Sequence, residues 1–139
     1  VTTIANGKAD NVISRIASGE SLGTTLTTTR KPIAARKQWL AGSLHPKGVL
    51  TIDNGAVNAL QSNGASLLPI GVKNVDGNFQ RGDLVSCIDF SGNEISRGLC
   101  NYGSHDAKLI AGKPSGELAT ILGYSGDVEM IHHDDLVVL

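Results

Sequence analysis

Aromatic side chains are scarce in this sequence, with one Trp, two Phe and two Tyr in 139 residues. Proteins that hold single-stranded nucleic acid stack bases on aromatic faces, and the few rings here are too scattered to build such a surface. An excess of charge of either sign is missing as well. Lys and Arg number 12 against 13 Asp and Glu, so no global field draws the chain onto nucleic acid or an anionic membrane. No run approaches the roughly 18 consecutive apolar residues of a membrane span. The opening VTTIANGKAD also lacks the basic start and apolar centre of a secretion signal. A soluble, cytoplasmic protein with no membrane partner is expected. Only two cysteines occur, Cys87 and Cys100, both in apolar, strand-like surroundings where buried free thiols are expected rather than a disulfide. The chain begins at Val1 rather than Met, and its first residues read as the middle of a longer protein.

The common catalytic signatures are absent too. No G-x-x-x-x-G-K-[ST] loop, no G-x-G-x-x-G after a strand and no G-x-S-x-G elbow occurs, so no catalytic or cofactor-binding residue is assigned. His132-His133-Asp134-Asp135 is the one cluster of ligand-type side chains. On an extended chain consecutive side chains point to opposite faces, so at most two would converge on one ion; a polar β-corner is expected and no metal ligand is assigned. Arg30, Lys31, Arg36 and Lys37 form the one basic cluster and are expected to lie on a solvated linker. The stretch Asn101-Tyr102-Gly103-Ser104-His105-Asp106 opens a helix where an anion could bind, with ordinary capping by Ser104 as the expected use.

What the chain does have is turns between short apolar runs: 17 glycines, and an apolar fraction of 40% that is enough for a core. Thr2 to Ile4, the Asn6-Gly7 turn and the helical spacing of Val12, Ile13 and Ile16 predict strand, turn and helix, with a second strand from Gly23. Residues 1–26 thus read as a βαβ piece of an α/β domain. Residues 27–42 read as a linker and connecting helix. Residues 43–139 read as a small mixed barrel of about six strands and three short helices. In it, Asp53 caps a helix that Gly64 closes, and Leu67-Leu68 and Leu84 to Ile88 are strands around the Asp76-Gly77 and Arg81-Gly82-Asp83 turns. Ser104 and Ser115 cap two more helices, and residues 129–132 and 136–139 are the last strands.

The spacing LLP-x-GV-xx-V-x-GNF-x-RGD-x-V from Leu67 to Val85 resembles the pseudouridine synthase and archaeosine transglycosylase (PUA) domain. It is more narrowly similar to the PUA domain of the glutamate 5-kinase family. IANG, NV-x-x-RI-x-x-GE and GT, at Ile4 to Gly7, Asn11 to Glu20 and Gly23-Thr24, resemble the end of that family's amino-acid kinase domain. ARKQWLAG at residues 35–42 resembles its connector, and IHHDD at residues 131–135 its IHRDD-like corner. The implied fold is mixed α/β, mainly β: a PUA-type pseudo-barrel with short helices behind a βαβ remnant of a kinase domain. The implied parent enzyme uses ATP and magnesium to phosphorylate L-glutamate in proline biosynthesis and is a homo-oligomer. Its catalytic residues would lie in the rest of the kinase chain, so the piece alone is expected to be inactive, with a regulatory or interdomain role. The alternative is an RNA-binding PUA module of an RNA-modifying protein. The groove that PUA domains use for structured RNA would fall near Gly64, Lys73 and Arg81.

Overall fold

The structure, a computed structural model, describes residues 2–27, 32–42 and 45–139. The chain divides into two compact units, Val1–Pro32 and Ile33–Leu139.

In the first unit, β1 (Thr2–Ile4) leads through a turn opened by Asn6 to α1 (Val12–Ala17) and then β2 (Thr24–Leu26). The order of elements is the one predicted, but the pairing is not that of a βαβ crossover: β1 and β2 are antiparallel, with Thr3 opposite Thr25. A crossover helix must lie on a sheet face and bury itself there, whereas α1 has six residues and none is buried. Ile4, Ile13 and Leu26 are exposed.

The second unit begins within α2 (Pro32–Gly42), at its second residue, followed by β3 (Gly48–Ile52), α3 (Asn54–Asn63), β4 (Val72–Gly77), β5 (Leu84–Ile88), β6 (Glu94–Leu99), α4 (Ser104–Ile110), α5 (Leu118–Leu122) and β7 (Leu136–Val138). The sheet order is β4-β3-β5-β6-β7, with β3 and β5 parallel and every other pair antiparallel. Alternation along β3 points Leu50 and Ile52 inward, while Leu84, Val85, Ser86 and Cys87 of the central β5 are all buried. A single bridge between Leu67 and Ile131 ties together the segments that precede the two edge strands, which curls the sheet toward a barrel. Inside it Phe79, Leu60, Ile110, Met130 and Ile131 fill the core. The Phe79 ring packs on the backbone of Gly48, where a Cβ would stand 2.3 Å from the ring, so no larger residue fits there without moving the ring.

Three local expectations are corrected. Leu67-Leu68 is no strand but a one-bridge contact followed by a 3-10 turn at Pro69–Gly71, because the proline fixes φ and has no N–H for a ladder. Likewise only Ile131 pairs in residues 129–132, and the next residues turn. Ser104 and Ser115 do not cap: α4 starts behind Gly103, and Ser115 opens a 3-10 turn before α5, so the sequence signal of a serine ahead of an apolar run was met by other backbone partners. One such partner is the Phe79 carbonyl, which accepts from the Ser104 amide at 2.8 Å. Cys87 and Cys100 are free and buried. Burial pushes the Cys87 thiol up to about 12, against the pull of the Ser96 hydroxyl across the ladder.

Phe79→Ala is expected to cost about 3–5 kcal/mol, the range for emptying a buried aromatic site, read as a lower urea midpoint; a midpoint unchanged from the parent chain would contradict the packing described. Amide exchange should also separate the units. Residues 2–16, with no buried helix face, are expected to exchange far faster than Leu84–Ile88, and equal protection in dilute solution would contradict the difference in burial.

Candidate functional site

A concavity of about 360 Å³ lies beside α3. Its geometry starts from Asp53, whose Oδ1 accepts the Ala56 amide at 2.9 Å and so fixes the first turn of α3. The Asp53 amide donates to the Gly71 carbonyl at 2.9 Å, which lays the Pro69–Gly71 turn along the helix. The approach is close enough that a Cβ on Gly71 would stand 2.7 Å from that of Ala56, so glycine is required for the two to meet. Ala56 and Ala59 form one wall; Leu67, Leu68 and Ile70 form the other, with Leu68 and Ile70 part exposed at the rim.

Charge enters at one end only. Lys73 Nζ lies 3.1 Å from Asp53 Oδ2 and donates to the Ile70 carbonyl at 3.0 Å. The Ala56 amide, and after it the Lys73 ammonium, hold the Asp53 carboxyl below the usual carboxylate range against partial burial. At the other end Ser66 lines the cleft, and its Oγ accepts the His133 amide at 2.9 Å. The cleft is therefore an apolar slot with an internally neutralised ion pair at its mouth. It suits a small, largely apolar group and offers little to a polyanion.

Of the residues expected at a groove, Lys73 stands in the wall and Gly64, at φ 57, ends the helix that forms it. Arg81 does not line the cleft; it sits in the turn before β5, 2.8 Å from Asp127. Lys47 likewise lies 2.9 Å from Asp83, and Arg97 is held by Glu94 at 2.6 Å. Arg30 and Lys31 fall outside the described residues. Arg36 is not on a free solvated tether: it reaches Asp135 at 2.6 Å. α2 is fixed at its other end too, with Leu40 fully buried and the Ala41 carbonyl accepting from Arg97 at 3.3 Å. At the head of α4, Asn101 donates to the Glu129 carbonyl at 3.1 Å, so its amide braces a loop. Residues 132–135 differ from the extended corner expected. His133–Asp135 form a 3-10 turn, which brings donor atoms of three consecutive side chains, His132, His133 and Asp134, to within 4.8 Å of one another.

Two functional contacts had no sequence signal. Asp53 was legible as a cap, but its pairing with Lys73 depends on the Pro69–Gly71 turn, held by the Asp53 amide, bringing the start of β4 to the head of α3. Ser66 meets His133 only because Leu67 bridges Ile131.

A small mixed-sheet domain with a cleft walled by α3 is the class that this geometry defines. Residues 48–122 match the family model described as PUA domain, and the chain belongs to the PUA domain family. It is 51% identical over 137 residues to glutamate 5-kinase of Teredinibacter turnerae, covering 99% of this chain and 37% of that protein. To glutamate 5-kinase of a Marinomonas species it is 50% identical over 138 residues, again 99% of this chain and 37% of the relative. The chain thus spans little more than a third of the length of the curated relatives it matches. Among solved structures, a PUA domain from Aeropyrum pernix K1 in a tartrate complex is similar over 62% of this chain and 42% of its own, at 26% identity and a TM-score of 0.44. Among the described residues no helix is long and apolar enough to cross a membrane.

Asp53→Ala removes the cap of α3 and is expected to cost about 0.5–2 kcal/mol at pH 7. Because the folded-state pKa of Asp53 is lowered, its stabilisation is full above the ordinary Asp value of about 3.9 and fades as pH falls through the folded value. Urea denaturation of both proteins at a series of pH values should show the gap closing in acid, and a gap that widens there would contradict the assignment.

Proposed function

We propose that this chain is the PUA-containing part of a glutamate 5-kinase, the enzyme that transfers the terminal phosphoryl group of ATP to the side-chain carboxylate of L-glutamate in proline biosynthesis. The observation that carries the reading is identity of about half of all residues across nearly the whole chain to proteins of that name. ATP, magnesium and glutamate would be bound by the rest of the kinase chain, in a homo-oligomer. Phosphoryl transfer needs a preorganised cradle for phosphates and metal, and no G-x-x-x-x-G-K-[ST] loop occurs in this sequence.

The role we propose for this part is regulatory or interdomain. Supporting it, α2 is tied to the PUA unit by the Arg36–Asp135 ion pair and by the bond from Arg97 to the Ala41 carbonyl, with Leu40 buried. An RNA-binding role for the cleft is less favoured, because Lys73 and Arg81 already lie against Asp53 and Asp127.

The test is the activity of the complete reading frame that contains this chain. That protein is expected to form hydroxamate from glutamate with ATP, and the chain of 139 residues alone to form none; hydroxamate from the chain alone, or none from the complete protein, would overturn the reading. For RNA, fluorescence anisotropy with labelled tRNA at about 0.15 M salt is expected to give binding no tighter than the roughly 10⁻⁶–10⁻⁴ M of non-specific association. Tighter binding that is lost in Lys73→Ala and Arg81→Ala would favour the RNA module instead.

A further inference from the structure

The corner ahead of β7 is built on a fixed backbone. Met130 and Ile131 are fully buried, the Met130 amide donates to the Leu67 carbonyl at 2.8 Å, and the Leu67 amide donates to the Ile131 carbonyl at 2.9 Å. From that anchor the 3-10 turn sets Asp134 beside two imidazoles whose ring centroids are 4.1 Å apart. Its Oδ1 is 3.4 Å from His133 Nε2, and its Oδ2 is 3.7 Å from His132 Nδ1. Two donors that share one tetrahedral ion at bond lengths of about 2.0–2.2 Å stand about 3.3–3.6 Å apart; the two contacts to Asp134 are near that spacing, and the set of one donor atom per residue, all within 4.8 Å of one another, has to draw closer around an ion.

We propose that His132, His133 and Asp134 form a site for a divalent first-row transition ion of the zinc, nickel or copper type. Two imidazoles and one carboxylate suit these ions better than magnesium or calcium, which prefer all-oxygen sets. The His133 ring is oriented for the task. The Ser66 hydroxyl lies 3.3 Å from its Nδ1, and accepting a proton there leaves the Nε2 lone pair facing Asp134. On His132 the ion replaces the longer bond that Nδ1 accepts from the Asp134 amide at 3.2 Å. Asp135 is outside the set, because Arg36 holds its carboxylate. The three side chains are 39–50% exposed, so an ion can enter and keep open positions for water. Since Ser66 also lines the cleft, a metal here would stiffen one end of it.

Calorimetric titration of the chain, purified without a metal-affinity tag, with zinc chloride tests this. One ion per chain is expected, weakened at least about tenfold in His133→Ala and in the isosteric Asp134→Asn, and less in Ser66→Ala. A control variant lacking His45 and His105 is expected to bind as the parent does. Circular dichroism matching the parent checks that each variant is folded. No zinc uptake by the folded parent, or uptake unchanged in both His133→Ala and Asp134→Asn, would overturn the proposal.

Discussion

Burial of β5 is the constraint on which the second unit depends. A strand that pairs in parallel with β3 on one side and antiparallel with β6 on the other must satisfy every backbone group in the ladder and cover both faces. Leu84, Val85, Ser86 and Cys87 meet the second demand, each buried, and at roughly 1.5–3 kcal/mol for a fully buried aliphatic side chain this strand alone contributes several kcal/mol. The parallel pairing also forces a crossover. α3 and β4 lie within the connection from β3 to β5, and the cleft forms between α3 and the segment that leads into β4.

One polar residue inside that strand, Ser86, shows how the fold handles the cost. Its hydroxyl donates to Glu94 Oε1 at 2.8 Å, the same carboxylate takes Arg97, and Arg97 reaches on to the carbonyl of Ala41 near the end of α2. The Arg97 guanidinium holds Glu94 below the usual carboxylate range despite partial burial. A cation at the C-terminal end of a helix also meets carbonyls with no partner inside the helix. The connecting helix is therefore held to the sheet by a charged network, which is why most of it belongs to the second unit physically.

Charge pairing has a functional side. Lys73, Arg81, Lys47, Arg36 and Arg97 are each set against a carboxylate, and at the cleft this means that Lys73 is neutralised by Asp53. Exposed pairs of this kind add little stability, typically about 0–1 kcal/mol. Their larger effect is to remove cations from the pool that could neutralise phosphates. The slot between Ala56, Ala59, Leu67 and Ile70 is consequently apolar in character, with its one ion pair turned toward Asp53 rather than outward.

The sequence by itself determined the elements whose causes are local. A continuous apolar run placed β5, and Asp53 and Gly64 bounded α3, since cap and stop chemistry acts over a few residues. The family resemblance came from the same kind of information, the fixed offsets of turn residues from Leu67 to Val85. Tertiary structure decided whatever depends on residues remote in the chain. The antiparallel pairing of β1 with β2 and the reduction of Leu67 to one bridge were not legible, because strand partners are chosen by surfaces that no local window contains. Nor was the convergence of His132, His133 and Asp134. Their order suits an extended corner equally well, and only the buried anchor at Met130 and Ile131, with Ser66 brought alongside, bends that corner into a turn.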